Sequence, residues 1–111
     1  MNRQAVLSSL IQFNEPVTRL KVALESFPWD VDRPIITVTK DDVMAVLDRF
    51  LAGEFTADVL TEWANLLEGR EDIQFEPDHA EAISATIFQL ANPVLCGPLV
   101  TQLPTIISSL R

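Results

Sequence analysis

The stretch from Phe55 to Asp78, FTADVLTEWANLLEGREDIQFEPD, decides how the rest of the chain is read, because it holds a helix with a marked start, a marked stop and an acidic tail. Thr56 supplies a hydroxyl that can accept from an orphaned backbone N–H of a first turn, and Phe55 before it is placed to pack on Leu60 as a hydrophobic staple. Gly69 is the residue type best able to take the left-handed conformation beyond a helix end, and predicts the stop. Between them Val59, Leu60, Trp63, Leu66 and Leu67 fall at i, i+1, i+4, i+7 and i+8, an arc about 120° wide at 100° per residue. That arc is core, with Trp63 at its middle. Asp58, Glu62 and Asn65 lie opposite, with Thr61 and Glu68 beside them, so the ionisable groups of this helix face water or a partner.

The charge of the chain gathers in the same place. Residues 54 to 81 carry nine carboxylates and one cation, Arg70, whereas the remainder holds seven acids and seven bases. The whole formal charge of −8 is therefore confined to about a quarter of the chain. A charge so concentrated sets up a local field that can steer a basic partner, which an even spread cannot.

Outward toward the C-terminus, Pro77 suits the first turn of a further helix running to about Ala91, with Ile83, Ile87, Leu90 and Ala91 inward and Asn92-Pro93 as its stop. Cys96-Gly97-Pro98 reads as a turn. A last helix extends to Leu110, and Pro104 within it predicts a start near Thr101. No residue from Ala82 to Leu110 is charged. The apolar runs there are too interrupted by Asn, Pro and Gly for a membrane span, which needs roughly 18–20 apolar residues. Those helices are expected to be buried, with any uncovered remainder a contact face for another subunit or protein.

Outward toward the N-terminus, Lys40 to Ala52 carries Val43, Met44, Leu47, Phe50 and Leu51 at helical spacing. The short connection Gly53-Glu54-Phe55-Thr56 then predicts an antiparallel αα-hairpin with the central helix. Thr39 is its N-cap with Asp42 at N3, and Val38 and Val43 are placed as a staple. Ile35 to Val38 is β-branched, but no second run of that kind exists to pair with it. It reads as an extended lead-in, with an edge that pairs with another chain as the alternative. Before it, the bracketed segment PWDVDRP cannot be helical. Two more amphipathic helices precede that, one over Arg3 to Phe13 with Val6, Leu7, Leu10 and Ile11 inward, the other carrying Val17, Leu20, Leu24 and Phe27.

At 111 residues the chain is expected to be one domain, residues 1–111, large enough to bury a core without metal or disulfide staples. A hydrophobic content of 48% and a mean hydropathy of +0.20 exclude disorder for its body. One cysteine, Cys96, forms no internal disulfide, and the N-terminal residues lack a signal-peptide pattern, so a cytoplasmic location is expected. A pI near 4.4 argues against nucleic acid as a ligand.

Recognisable chemistry is absent from the motifs. The three glycines are isolated, no Cys or His pair has metal-ligand spacing, and the lone His79 has no nucleophile or second base in motif spacing. The acids Glu68, Glu71, Asp72, Glu76 and Asp78 lack the spacing and central glycine of a calcium loop. They read as a solvated face or a protein-binding patch. Trp29, in its proline-flanked loop, is a candidate anchor for a partner. Arg70, just past a helix end, can bond the last carbonyls and pair with Glu68 or Asp72, pinning the turn.

Trp63-Ala64-Asn65-x-x-Glu68-x-Arg70-x-Asp72-Ile73, followed by Leu90-Ala91-Asn92-Pro93, resembles a pattern of small bacterial helical proteins. In size, acidity and helical make-up these are similar to bacterial immunity proteins of the colicin and contact-dependent inhibition type. The resemblance implies a protein that binds a cognate toxin and blocks it. It carries no binding residue over to this chain.

The combined expectation is an all-α bundle of five or six short amphipathic helices around a central antiparallel αα-hairpin. Its function is expected to be non-enzymatic, without cofactor or metal, and without nucleic acid or membrane as a ligand. The acidic face of Asp58, Glu62, Glu68, Glu71, Asp72, Glu76 and Asp78, with Trp29, binds a basic protein. The competing expectation is a homodimeric structural or regulatory protein joined through the uncharged C-terminal helices.

Overall fold

The computed structural model describes residues 3–27, 34–68, 70, 72–92 and 99–110, and among these described residues six α-helices and a small parallel sheet make up the fold. The elements are α1 Arg3–Gln12, α2 Val17–Leu24, β1 Ile36–Val38, α3 Lys40–Leu51, α4 Ala57–Leu67, β2 Ile73–Phe75, α5 Ala80–Ala91 and α6 Leu99–Leu110. A single 3₁₀ turn, Pro77–His79, leads into α5.

Helix periodicity places the core. Val6, Leu7, Leu10 and Ile11 of α1 are buried, as are Ile83, Ile87, Leu90 and Ala91 of α5. These join Leu20, Val43, Leu47, Leu60, Trp63 and Ile106 in one continuous cluster. Full burial of each such aliphatic side chain contributes about 1.5–3 kcal/mol before chain entropy is offset. In α4 the buried stripe is Leu60, Trp63, Ala64 and Leu67, while Val59 and Leu66 are half-buried, so the arc is turned toward Ala64 from its expected centre. In α3 Val46 is buried and Leu51 is 57% exposed. The apolar face of α3 is therefore turned toward Val46 and reaches the last turn through the half-buried Phe50, leaving Leu51 off it.

Helix ends follow local chemistry. Thr39 caps α3 with a full capping box: its hydroxyl accepts from the Asp42 N–H, and the Asp42 carboxylate accepts from the Thr39 N–H. Thr56 accepts from the Val59 N–H at the start of α4. At the end of α3, Gly53 takes φ +85 and donates to the Phe50 carbonyl, while Glu54 donates to that of Arg49. That is a Schellman stop with glycine where φ must be positive. The end of α1 repeats the bonding pattern without glycine. Phe13 takes φ +50 and donates to Leu10, and Asn14 donates to Ser9. The predicted stop at Gly69 lies outside the described residues. The last helix begins at Leu99, two residues before the expected start, and so contains Pro104 in its second turn.

The sheet departs from the all-α expectation. β1 pairs with β2 in parallel, with Ile36 opposite Ile73, Thr37 opposite Gln74 and Val38 opposite Phe75. Ile35 donates to the Asp72 carbonyl at 2.8 Å and Glu76 to that of Val38 at 2.9 Å, extending the ladder at both ends. Ile35 to Val38 thus finds its partner inside the chain, in Ile73–Phe75. A parallel partner requires a long crossover, and α3 and α4 provide it.

The packing of α4 also differs from expectation. Its principal partner is α5, with α2 also against it, whereas α3 packs on α1 and α6. The five-residue link between α3 and α4 therefore does not make them each other's main packing partners. The buried stripe of α4 is met by that of α5 rather than by the helix next to it in sequence. No helix among the described residues is long and apolar enough to cross a membrane.

Candidate functional site

The acidic segment divides between interior and surface. Asp72 is wholly buried, and Arg70 beside it is 8% exposed. The Arg70 guanidinium donates from Nε to Asp72 Oδ1 and from Nη2 to Oδ2, both at 2.9 Å. Arg3 approaches Oδ2 to 3.6 Å and lies over the Phe27 ring, 5.4 Å from its centre. Asp72 is therefore no part of a partner-facing surface. A carboxylate taken from water needs cations and donors around it, and a planar guanidinium fork meets that need in two bonds. Because the Asp72 carbonyl also receives Ile35, one residue joins α1, the turn after α4 and the sheet.

Two further acids have structural bonds. Glu76, half-buried, accepts from the Lys40 N–H at 3.1 Å and so adds a negative group to the N-terminus of α3. Glu68, the C-cap of α4, accepts from Asn92 Nδ2 at 3.3 Å. Trp63, at 0% exposure, donates its indole N–H to the Leu10 carbonyl at 2.7 Å, tying α4 to the last turn of α1. Glu71 and Trp29 lie outside the described residues.

The exposed acids fall into two sets. Asp58 and Glu62, one turn apart on α4, point outward, and Glu62 lines a groove of about 450 Å³ with Glu15 and Glu54. Asp78 and Glu81 line a different groove, of about 520 Å³, which runs beside α5 to Thr105 and Ile106 of α6 and includes His79. The expected single face is thus a pair of acidic regions, one carried by α4 and one at the start of α5.

The first groove contains residues that sequence reasoning did not select. Phe13, Pro16, Val17, Phe55 and Val59 form its apolar lining, and Arg49 stands at its edge. Arg49 donates through Nη1 to the carbonyls of Gln12 at 3.1 Å and Phe13 at 2.8 Å, and through Nε to Glu54 Oε1 at 3.1 Å. Its guanidinium carbon is 5.6 Å from the ring centres of both Phe13 and Phe55. The two rings meet edge to face at 5.0 Å. Arg49 thereby satisfies the last carbonyls of α1 and supports the left-handed Phe13. Its place on the polar side of α3 was the only sequence signal.

Among the described residues no group of three or more His, Cys, Asp or Glu side chains is arranged to hold a metal ion. Compared with known proteins, the chain matches no family model, no curated protein and no solved structure. The site must be judged on its own chemistry.

Proposed function

We propose that the protein is a non-enzymatic binding protein that takes up a basic protein partner on the exposed carboxylates on and around α4. The observation that carries this reading is the confinement of the whole −8 charge to residues 54 to 81. With Asp72 internal, the exposed carboxylates of that segment among the described residues are Glu54, Asp58 and Glu62 on and around α4, and Asp78 and Glu81 in the second region at the start of α5. Neighbouring like charges within a region repel one another, and a basic surface offsets that cost on contact.

The resemblance to immunity proteins supports a specific form of this function. The partner is then a toxin, the carboxylates stand in for its anionic substrate, and the mechanism is occlusion in the cytoplasm. Electrostatic attraction of this kind raises the association rate and weakens with salt.

The test is a pull-down from native lysate at low and moderate salt, with wild type and the triple variant D58K/E62K/D78K. All three positions are exposed, so circular dichroism should report an unchanged fold. A basic partner retained by wild type and lost with reversal or salt is the expected result. Equal retention by the variant refutes the reading.

A second reading is a homodimer through the uncharged C-terminal helices. Phe88 favours it, being 47% exposed on α5 beside the exposed Ser84 and Ala85. Sedimentation at high concentration decides: a mass of 12.4 kDa rejects the dimer.

A further inference from the structure

The groove between the α1–α2 corner and the start of α4 has a lining divided by chemistry. Phe13, Pro16, Val17, Phe55 and Val59 are apolar, whereas Glu15, Glu54 and Glu62 place three carboxylates against the single guanidinium of Arg49. Most of these charges already have partners. Arg49 is bonded to Glu54 and to two backbone carbonyls, and Glu15 lies 3.9 Å from the exposed Arg19. The Glu62 carboxylate has no hydrogen bond or ion pair within the described residues. Lys21 borders the adjoining groove that Glu62 also lines, without an ion pair to it.

We propose that this groove seats one lysine or arginine side chain of the basic protein partner, an assignment that rests on the function proposed above. The aliphatic stem lies on Val17, Phe55 and Val59, and the cationic head reaches Glu62. A long basic side chain matches both parts of the lining, since its methylenes bury on apolar surface while its charge stays at the polar edge. An anion is disfavoured by the excess of carboxylates, and a small hydrated cation leaves the apolar lining uncovered. Glu62 is the anchor because it is the carboxylate whose acceptor capacity is unspent. The groove thus converts a general attraction between acidic and basic surfaces into a choice of one position on the partner.

The experiment uses the full chain labelled with ¹⁵N, titrated with a nine-residue Gly/Ser peptide carrying one central arginine, and with the same peptide carrying citrulline, its uncharged isostere. The expected result is a set of saturable amide shifts at Val17, Val59 and Glu62 with the arginine peptide. Affinity should fall by about fivefold or more for citrulline and for E62Q, the scale of one charge-assisted contact at a solvated site, and stay unchanged in D78N. Equal binding of the two peptides overturns the seat, as do shifts that spread over Asp58, Asp78 and Glu81 and ignore E62Q. That second pattern leaves the acidic surface as the binding region and removes only the groove. No shift at millimolar peptide also overturns the seat, and the wider function then stands or falls on the lysate experiment alone.

Discussion

Arg70 and Asp72 meet through two hydrogen bonds of 2.9 Å in the interior of the protein, two residues apart in a segment whose composition suggests an exposed acidic run. Removing one member leaves the other charged and enclosed. Asp72→Ala is expected to destabilise the fold by about 3–5 kcal/mol, the usual cost of breaking a buried pair. Glu62→Gln, at an exposed position, should stay within about 0.5 kcal/mol of wild type. Urea unfolding of the two variants checks the contrast, and similar midpoints would contradict the internal placement of Asp72.

Phe13 occupies a left-handed position that glycine normally fills. In a helix interior Ala is more stable than Gly by about 1 kcal/mol. At position 13 the order should reverse, with Phe13→Gly more stable than Phe13→Ala by about 1 kcal/mol, because the Cβ alone opposes positive φ. Both variants should lie well below wild type, since each loses the buried ring. Thermal or denaturant unfolding of the pair measures the sign directly.

Trp63→Phe keeps most of the ring but leaves the Leu10 carbonyl without its indole donor. That carbonyl still accepts from the Phe13 N–H, so the lost indole bond is expected to cost about 0.5–1.5 kcal/mol, beyond the loss of ring volume. In a W29F background the emission of Trp63 should be blue-shifted and shielded from iodide. Strong quenching there would show that Trp63 is not enclosed.

The start of α3 depends on two separate segments. Thr39→Ala removes the cap and should cost about 1 kcal/mol. Glu76→Ala removes a carboxylate supplied from the end of β2 and should cost a further few tenths to about 1 kcal/mol through the helix terminus. Hydrogen exchange at Lys40 is the local probe. It should accelerate in the Glu76 variant even though residue 76 is far away in sequence.

Much of the helical frame could be read from spacing alone. Val6, Leu7, Leu10 and Ile11, and again Ile83, Ile87 and Leu90, recur at intervals that leave one side apolar, and those residues are buried. The Thr39 and Asp42 box is a local bond between near neighbours and needs no tertiary information. The second strand is different. Ile73-Gln74-Phe75 is three residues long, and its partner lies beyond two intervening helices, so no hairpin signal joins them. From the sequence Asp72 reads as surface charge, because a tally of carboxylates does not reveal which cation folds over which acid. One clue was present: in extended backbone, residues 70 and 72 fall on the same side. The groove could not be read at all, because its lining is drawn from three segments and no local pattern relates Glu15 to Glu62.

The parallel pairing of β1 with β2 has an effect on what α4 can present. Both ends of the α3–α4 excursion are held at one place, and the Trp63 bond to Leu10 fastens its middle. The backbone of α4 is thereby tied to its neighbours before any encounter, and the Cα atoms of Asp58 and Glu62, four residues apart on one helix, keep a set spacing. A molecule arriving at this helix would not have to supply the entropy of ordering it. Side-chain freedom, its own and that of the exposed Asp58 and Glu62, is what such an encounter would spend.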